Sequence, residues 1–244
     1  MPTFHLSHPL SPGAAAAFTA ADAHHLRDVL RVRCGDPLTV CAAGEYWQAV
    51  IDTVDGHIVT ARAVAPVPAP WHSPLPVYLY QAVPKGKGIE MVIQHASELG
   101  AAVLAPLITE RTIGRRADRP GRQRARWEAV AEAAQRQCGR PRLLEVRAVQ
   151  TLPEALAELA GALVAVPGAP PIALPAGADA VRVVIGPEGG LSPDEQMRLT
   201  ECGAHPFGVP AFTLRAATAT AAVLAVVNQE VARIAATRRT SQRG

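Results

Sequence analysis

The sequence predicts an α/β fold with a mostly parallel sheet and helices on both faces, preceded by a small β domain. From Leu75 onward, apolar strand segments alternate with helical segments, which is the order that builds parallel βαβ units. The first 65 or so residues contain short strand segments, turn signals and one helix. The segment APVPAP at residues 65–70 is typical of a stiff linker that cannot continue a strand ladder. We therefore expect two domains, at residues 1–70 and 71–244.

The small N-terminal domain is predicted from alternating polar and apolar residues. A strand is expected at Thr3–Leu6, and a helix at about Ala21–Leu30. The alternation that begins at Leu38 is broken at Ala43-Gly44 and again at Asp55-Gly56. These breaks favour hairpin turns, so the segment predicts a barrel-like β domain.

The second domain is predicted from strand and helix signals that follow one another. PVYLYQAV, AAVLAPLI, LVAV and VRVVI are apolar strand candidates. The first helix ends at Gly100, a second is expected at about Trp127–Gln137, and Thr151 and Glu154 have the spacing of a capping box. The helix after Leu214 is apolar on more than one side, so we expect it in the core or against a second subunit. The residues on one face of the first helix are Ile89, Val92, Ile93, Ala96 and Leu99.

Composition excludes several classes of protein. The four cysteines are scattered and form no metal-ligand pattern with histidine, which favours a reduced chain without a metal. The N-terminus lacks the features of a signal peptide, and no run of roughly 18 apolar residues is present. We therefore expect a cytoplasmic protein that does not enter a membrane.

Positive charge is concentrated in one part of the chain. The net charge is only +3, yet eleven arginines and four acidic residues lie between Arg111 and Arg147. Such an excess suits a polyanion such as RNA. A solvated, arginine-rich helix face explains it equally well, so charge alone leaves both interpretations open.

The stretch VRVVIGPEGGLSPDEQ, residues 181–196, joins a strand to a helix through a glycine-rich loop. Ser192 and Glu195 have capping-box spacing, and Pro193 occupies the first helical position. Loops at the carboxyl ends of parallel strands bind ligands in α/β folds. This loop matches neither the Walker motif nor G-x-G-x-x-G, so a nucleotide phosphate is not the expected ligand. The residues alone leave open a cofactor loop or a tight structural turn.

The sequence of that loop, IGPEGGLSPDE, resembles the cofactor-loop motif of the RsmE family of ribosomal RNA uridine-N3 methyltransferases, within the SPOUT superfamily. The similarity continues in order over nearly the whole chain. The chain departs from the family at Ala217, where an acidic residue is usual, and at His95, where lysine is common. The other similar segments are HHLRDVLRVRCGD, EYWQAVI, QAVPKGKGIEMVIQHASELG, APLITER, RWEAVAEAAQRQCGRPRLLEV and LRAATATAAVLAV.

The resemblance implies a SPOUT-type trefoil-knotted domain that binds S-adenosylmethionine, together with a PUA-like N-terminal β-barrel that recognises RNA. It implies a homodimer, without a metal, that methylates N3 of a uridine in 16S rRNA within the small ribosomal subunit. The implied catalytic residues are Arg215, which would stabilise charge on the uracil oxygens, and Glu188, as a base or as a partner of Arg215. The implied cofactor-binding residues are Val166, Pro167, Gly168, Ile185, Gly186, Pro187, Gly189, Gly190, Leu191, Thr213, Leu214 and Ala219.

The expected RNA contacts are basic residues from both domains, which would mostly bind phosphate. Three other functions remain open. A non-catalytic assembly factor would explain the missing acid at Ala217, another SPOUT enzyme would methylate a ribose or a tRNA, and an unrelated nucleotide-binding enzyme would share only the α/β class. The expected RNA-binding residues are Arg27, Arg31, Arg33, Lys85, Lys87, Arg115, Arg116, Arg136, Arg140 and Arg142.

Overall fold

A computed structural model describes residues 3–56, 58–69, 73–86, 88–112, 120–174 and 177–241. The chain divides into two compact units. The first comprises Met1–His72 and Gln135–Arg142, and the second comprises Ser73–Ala134 and Leu143–Gly244. The expected boundary between residues 70 and 71 lies outside the described residues. The first unit therefore includes a segment that is distant in sequence from the rest of it.

The first unit contains a five-stranded sheet in the order β1-β3-β4-β5-β2. Strand β1 runs parallel to β3, and the other neighbouring pairs are antiparallel. One helix, α1, continues as one π-helical turn, and Ala23 of the helix and Leu26 of the turn are buried in the core of this unit. The elements are β1 (Phe4–Leu6), β2 (Ala15–Ala17), α1 (Ala20–His24) with its π turn (His25–Val29), β3 (Pro37–Ala42), β4 (Glu45–Asp55) and β5 (Ile58–Val67).

Both hairpin turns predicted in this unit are confirmed. Ala42 pairs with Glu45, so Ala43 and Gly44 form a two-residue loop between β3 and β4. Both loop residues have positive φ, 50° and 82°, as a type I′ turn requires. At the second break, Asp55 pairs with Ile58 across the turn between β4 and β5.

The prediction that residues 65–70 cannot continue a strand ladder is wrong for residues 65–67. Strand β5 extends to Val67, and Pro66 pairs with Trp47. Two features make the proline tolerable. The register shifts between Gln48 and Ala49, and β2 pairs only with the first half of β5. Pro66 therefore lies next to a bulge and at an open edge, where a missing N–H costs little.

The second unit contains a seven-stranded sheet in the order β12-β10-β11-β6-β7-β8, with β9 also paired to β7. Every pair in this sheet is parallel, which confirms the predicted α/β class. The strands are β6 (Val77–Ala82), β7 (Val103–Ile108), β8 (Glu145–Val146), β9 (Gln150–Thr151), β10 (Leu163–Ala165), β11 (Val181–Ile185) and β12 (His205–Phe207).

Helices cover both faces of this sheet. Along β11, Val183 packs into one hydrophobic cluster and Val184 into another, because successive strand residues point to opposite faces. The first cluster contains residues of α2, α3 and α6, whereas the second contains residues of α4 and α5. The helices are α2 (Gly88–Glu98), α3 (Pro120–Cys138), α4 (Leu152–Ala155) with a 3₁₀ turn (Leu156–Glu158), α5 (Pro193–Glu201) and α6 (Ala216–Ser241).

Local helix signals are confirmed at several positions. Gly100 has φ of 73° just after α2. The capping boxes of α4 and α5 both form, from Thr151 and Ser192 respectively. Helix α3 is longer than expected, because it begins at Pro120.

Helix α6 combines a core face with an exposed face. Its segment Ala216–Thr237 is long and apolar enough to cross a membrane by length and composition. Of the apolar 18-residue stretch within that segment, 28% is buried. Leu224 and Val227 are fully buried in the hydrophobic cluster under the sheet. The length and composition of α6 are therefore also those of a core helix.

Candidate active site

A cavity of about 360 Å³ lies in the second unit, at the carboxyl ends of β10 and β11. Three segments form most of its wall: residues 165–167, residues 185–191, and residues 209–223 at the start of α6. This edge of a parallel sheet is where α/β folds bind their ligands. Its volume falls within the range of small-molecule sites.

The loop after β11 is a tight turn that closes over Leu191. The Gly190 N–H donates to the Pro187 carbonyl at 2.8 Å, and Gly190 has φ of 70°. A Cβ added to Gly186 would lie 3.1 Å from Leu191 Cγ and 3.2 Å from Leu191 N. A side chain at position 186 would therefore force Leu191 and its loop to shift.

The loop after β10 is held against the segment that follows β12. The Val166 N–H donates to the Phe207 carbonyl at 2.9 Å, and the Gly208 N–H donates to the Pro170 carbonyl at 2.7 Å. A Cβ on Gly208 would lie 2.3 Å from the Ala169 oxygen. The two segments pass each other so closely that only glycine fits at position 208.

The third wall is attached to the sheet by a buried polar pair. Thr220 Oγ1 lies 2.9 Å from both Gln81 Oε1 and the Ala216 carbonyl oxygen. Both Thr220 and Gln81 are fully buried. His95 Nδ1 also lies 2.9 Å from the carbonyl oxygen of Ala217. Ala217 itself belongs to the hydrophobic core, so the position at which the family usually has an acid is apolar and buried here.

The structure brings most of the predicted cofactor-binding residues together around this cavity. Gly168 and Gly189 do not line it, although each belongs to one of the predicted loops. Gly189 instead uses its carbonyl to accept a hydrogen bond from Arg111. The lining residues among those predicted are Val166, Pro167, Ile185, Gly186, Pro187, Gly190, Leu191, Thr213, Leu214 and Ala219.

The two predicted catalytic residues occupy different positions. Glu188 lines the cavity, and its Oε1 accepts a hydrogen bond from the Lys85 backbone N–H at 3.3 Å. Arg215 is exposed and does not line the cavity, but its neighbours Leu214 and Ala216 do. Within the described part of the chain, no carboxylate lies within ion-pair distance of Arg215, so Glu188 does not hold it.

Sequence reasoning missed several lining residues, among them Arg111 and Phe212. Arg111 Nη1 donates to the Gly189 carbonyl at 2.8 Å at the edge of the cavity. Phe212, 98% exposed, lies at its rim. Arg111 follows β7, whose carboxyl end reaches the same sheet edge as β11, so its place at the cavity depends on the order of strands in the sheet.

The predicted RNA-binding arginines divide unevenly between the units. Arg27 bonds Asp28 and the Gly56 carbonyl, and Arg31 has φ of 54°. Burial lowers the pKa of Arg140. Lys85 belongs to the second unit, whereas Lys87, Arg115 and Arg116 lie outside the described residues. The first unit contains Arg27, Arg31, Arg33, Arg136, Arg140 and Arg142.

No metal centre is evident in the described ranges. Among those residues, no group of three histidine, cysteine or acidic side chains could hold a metal ion. The charged residues that line the cavity are Arg111 and Glu188. The chemistry available there is therefore that of apolar side chains, backbone groups, the polar side chains of Gln196 and Thr213, one guanidinium and one carboxylate.

A comparison with known protein families shows the class of enzyme to which this chain belongs. A family model described as an RNA methyltransferase domain matches residues 72–228, so this chain is an RNA methyltransferase. The ribosomal RNA small subunit methyltransferase E of Synechocystis sp. is 33% identical over 231 residues, covering 88% of this chain and 73% of that protein. The Mycobacterium tuberculosis protein with the same name is 32% identical, covering 88% of this chain and 86% of its own length.

A solved structure agrees with these relatives. It is a ribosomal RNA small subunit methyltransferase E from Neisseria gonorrhoeae bound to S-adenosyl methionine, with a TM-score of 0.77 and 26% sequence identity. The match covers 94% of this chain and 97% of that one. The chain belongs to the ribosomal RNA small subunit methyltransferase E (RsmE) family, which confirms the resemblance found in the sequence.

Proposed function

We propose that this chain transfers a methyl group from S-adenosylmethionine to N3 of an unpaired uridine in 16S rRNA of the small ribosomal subunit. The observation that carries the proposal is the cavity formed by three loops at the carboxyl ends of β10 and β11 and the start of α6. It occurs in a chain whose relatives are named as methyltransferases of the small-subunit ribosomal RNA.

The chemistry of the cavity fits S-adenosylmethionine. The cofactor carries no phosphate, and the loop lacks a phosphate-binding motif. Leu191 and Leu214 provide apolar surface for an adenine ring, while the turn around Gly190 brings backbone groups close to the ligand.

The bound cofactor supplies an electrophilic methyl carbon. In the proposed step, a bond forms between uracil N3 and that carbon while the bond from the methyl group to sulfur breaks, and sulfur keeps the electron pair. Glu188 accepts the N3 proton, since its carboxylate lines the cavity. Arg215 stabilises the negative charge that develops on the uracil oxygens. Because N3 lies on the pairing edge of the base, the uridine must be unpaired.

The remaining parts of the chain have proposed roles in assembly and recognition. Residues 1–70 act as a PUA-like β-barrel that binds RNA, and residues 71–244 form the methyltransferase domain. We infer a trefoil knot in the second domain, supported by the close passage of Ala169 and Gly208. The exposed apolar surface of α6 supports a homodimer. The enzyme acts in the cytoplasm, where ribosomal subunits are found.

The test is methyl transfer from labelled S-adenosylmethionine to small ribosomal subunits that lack the modification, mapped by reverse transcription. A methyl group on N3 blocks base pairing, so we expect one new stop at a uridine in 16S rRNA. A methyl group on a ribose or on tRNA would contradict the proposed target. Cofactor binding without transfer would contradict this substrate, and loss of both would favour an assembly factor.

A further inference from the structure

A second cavity, of about 520 Å³, borders the cofactor cavity within the same unit. The two cavities share Arg111 and Glu188 as lining residues. Lys85 follows β6, Arg111 follows β7 and Glu188 follows β11, which are three neighbouring strands. The carboxyl ends of parallel strands meet at one edge, so these three residues meet at the second cavity. The second cavity is lined by Lys85, Glu110, Arg111, Thr112, Glu188 and Gly189.

Arg111 is held by a rigid turn. The Thr112 N–H donates to the Thr109 carbonyl at 3.1 Å, and the Thr109 N–H donates to Thr112 Oγ1 at 2.9 Å. The two threonine hydroxyls lie 2.8 Å apart, and both side chains are buried. The Glu110 N–H is fixed by Glu195 Oε1 at 2.7 Å. The backbone that carries Arg111 is therefore positioned before any ligand binds.

The guanidinium of Arg111 retains donors for a ligand. One of its five N–H groups binds the Gly189 carbonyl. Within the described residues, neither Arg111 nor Lys85 is paired with a carboxylate at ion-pair distance. The cavity thus has two cations on its wall and the Glu188 carboxylate beside them. This arrangement suits a ligand with an anionic group and a polar ring.

We propose that the second cavity is the subsite for the nucleotide that receives the methyl group. Arg111 binds an oxygen of the pyrimidine ring, and Lys85 binds the phosphate of the same nucleotide. This inference rests on the proposed function. Displacement at a methyl group requires the attacking nitrogen to lie in line with the breaking bond, on the side away from sulfur. The nucleotide must therefore occupy space that adjoins the cofactor cavity, as this cavity does.

The cofactor is a poorer occupant of the second cavity. Lys85, Glu110 and Thr112 line the second cavity and not the first. The predicted cofactor loops contribute mainly to the first cavity, and only Glu188 and Gly189 from them reach the second. A substitution of Lys85 therefore tests the second cavity without altering the lining of the first.

The experiment compares the wild-type chain with Lys85→Ala and Arg111→Ala. Arg198→Ala is the matched control, because Arg198 is an exposed arginine of the same unit, paired with Asp194, that lines neither cavity. Calorimetry gives the Kd for S-adenosylmethionine, and methyl transfer to small subunits gives kcat and KM. We expect both variants to lose at least about tenfold in kcat/KM, with the cofactor Kd within about twofold of wild type. The control should match wild type.

Several outcomes would overturn the subsite. Wild-type kcat/KM in both variants would do so, and so would a cofactor Kd that weakens in proportion to activity in Arg111→Ala. Restoration of activity in Lys85→Arg would support a charge contact with phosphate.

A second measurement separates this inference from the proposed function. If the wild-type chain transfers no methyl group, the proposed function fails. The subsite is then tested by the binding of a short single-stranded RNA that contains uridine, at saturating cofactor. Weaker binding in Lys85→Ala than in Arg198→Ala supports the subsite, and equal binding overturns it.

Discussion

The carboxylate of Glu195 accepts a hydrogen bond from the backbone N–H of Glu110, with Oε1 at 2.7 Å. Its other oxygen accepts the Ser192 N–H at 2.9 Å, as part of the capping box of α5. One buried side chain therefore joins α5, which follows the glycine-rich loop after β11, to the turn that carries Arg111. The two walls of the site keep their spacing through this carboxylate.

Glu195→Gln should weaken that connection. Glutamine has one acceptor oxygen, so one of the two backbone N–H groups loses its partner in a buried place. We expect a loss of about 1–3 kcal/mol in the free energy of unfolding, measured by urea denaturation. Asp194→Asn is the control, since Asp194 forms only an exposed ion pair on the same helix and should cost less than about 1 kcal/mol. Equal losses in the two variants would contradict the role of Glu195.

Gly186→Ala should weaken cofactor binding. The added Cβ would press on Leu191 at 3.1–3.2 Å and displace the loop. We expect the Kd for S-adenosylmethionine to rise by about tenfold or more, equivalent to roughly 1.4 kcal/mol. Gly189→Ala is the matched control, because its Cβ would make only ordinary contacts at 3.5 Å with Arg111. The same change in Kd for both glycine variants would show that the contact with Leu191 is not limiting.

Arg215→Ala should abolish methyl transfer while the chain stays folded. Arg215 is exposed and beside the cavity, so its removal leaves the core unchanged and takes away charge stabilisation in the transition state. Labelled methyl incorporation, with circular dichroism as the folding check, measures this. Wild-type rates would remove Arg215 from the mechanism.

Thr220→Val should destabilise the attachment of α6 to β6. The variant keeps the shape of threonine but leaves Gln81 Oε1 buried without its donor. The expected cost is about 1–3 kcal/mol in the free energy of unfolding. Thr220→Ser keeps the hydroxyl and should cost less, and denaturant titration of both variants decides. A serine variant as unstable as the valine variant would point to packing instead.

Tyr80 should make the chain sensitive to alkaline pH. Burial and the hydrogen bond to Glu158 raise the pKa of Tyr80 from 10.0 to about 12. The folded state therefore holds this proton more tightly, so the stabilisation is fully present below pH 10 and is lost as pH rises towards 12. Tyr80→Phe should remove up to one proton from the pH dependence of unfolding in that window. Urea titrations at several pH values check this, and parallel curves for the two proteins would contradict it.

Signals between residues close in sequence predicted local structure well. The caps at Thr151 and Ser192 and the stop at Gly100 depend on backbone groups within a few residues, so spacing alone was sufficient. The position of Pro66 in a strand was missed because it depends on a bulge and on where β2 ends. Such pairing depends on distant residues that the local pattern does not contain.

In the candidate site, too, features set by neighbouring residues were predicted and features set by distant residues were not. The glycine loop after β11 was recognisable from its own residues, whereas Arg111 was not, because it reaches the cavity through the order of strands in the sheet. The grouping of Gln135–Arg142 with the first unit also arises only from packing. Charge counts along the sequence could not assign those arginines to either unit.

The order of strands also determines when the sheet can form during synthesis. Strand β6 pairs on one side with β11, about a hundred residues later in the chain. The ribosome must therefore synthesise the chain as far as Ile185 before β6 can pair with β11. Until then, one edge of β6 stays without a partner, and contacts this distant in sequence form slowly. An enzyme proposed to modify ribosomes thus completes its own sheet only after the ribosome has synthesised β11.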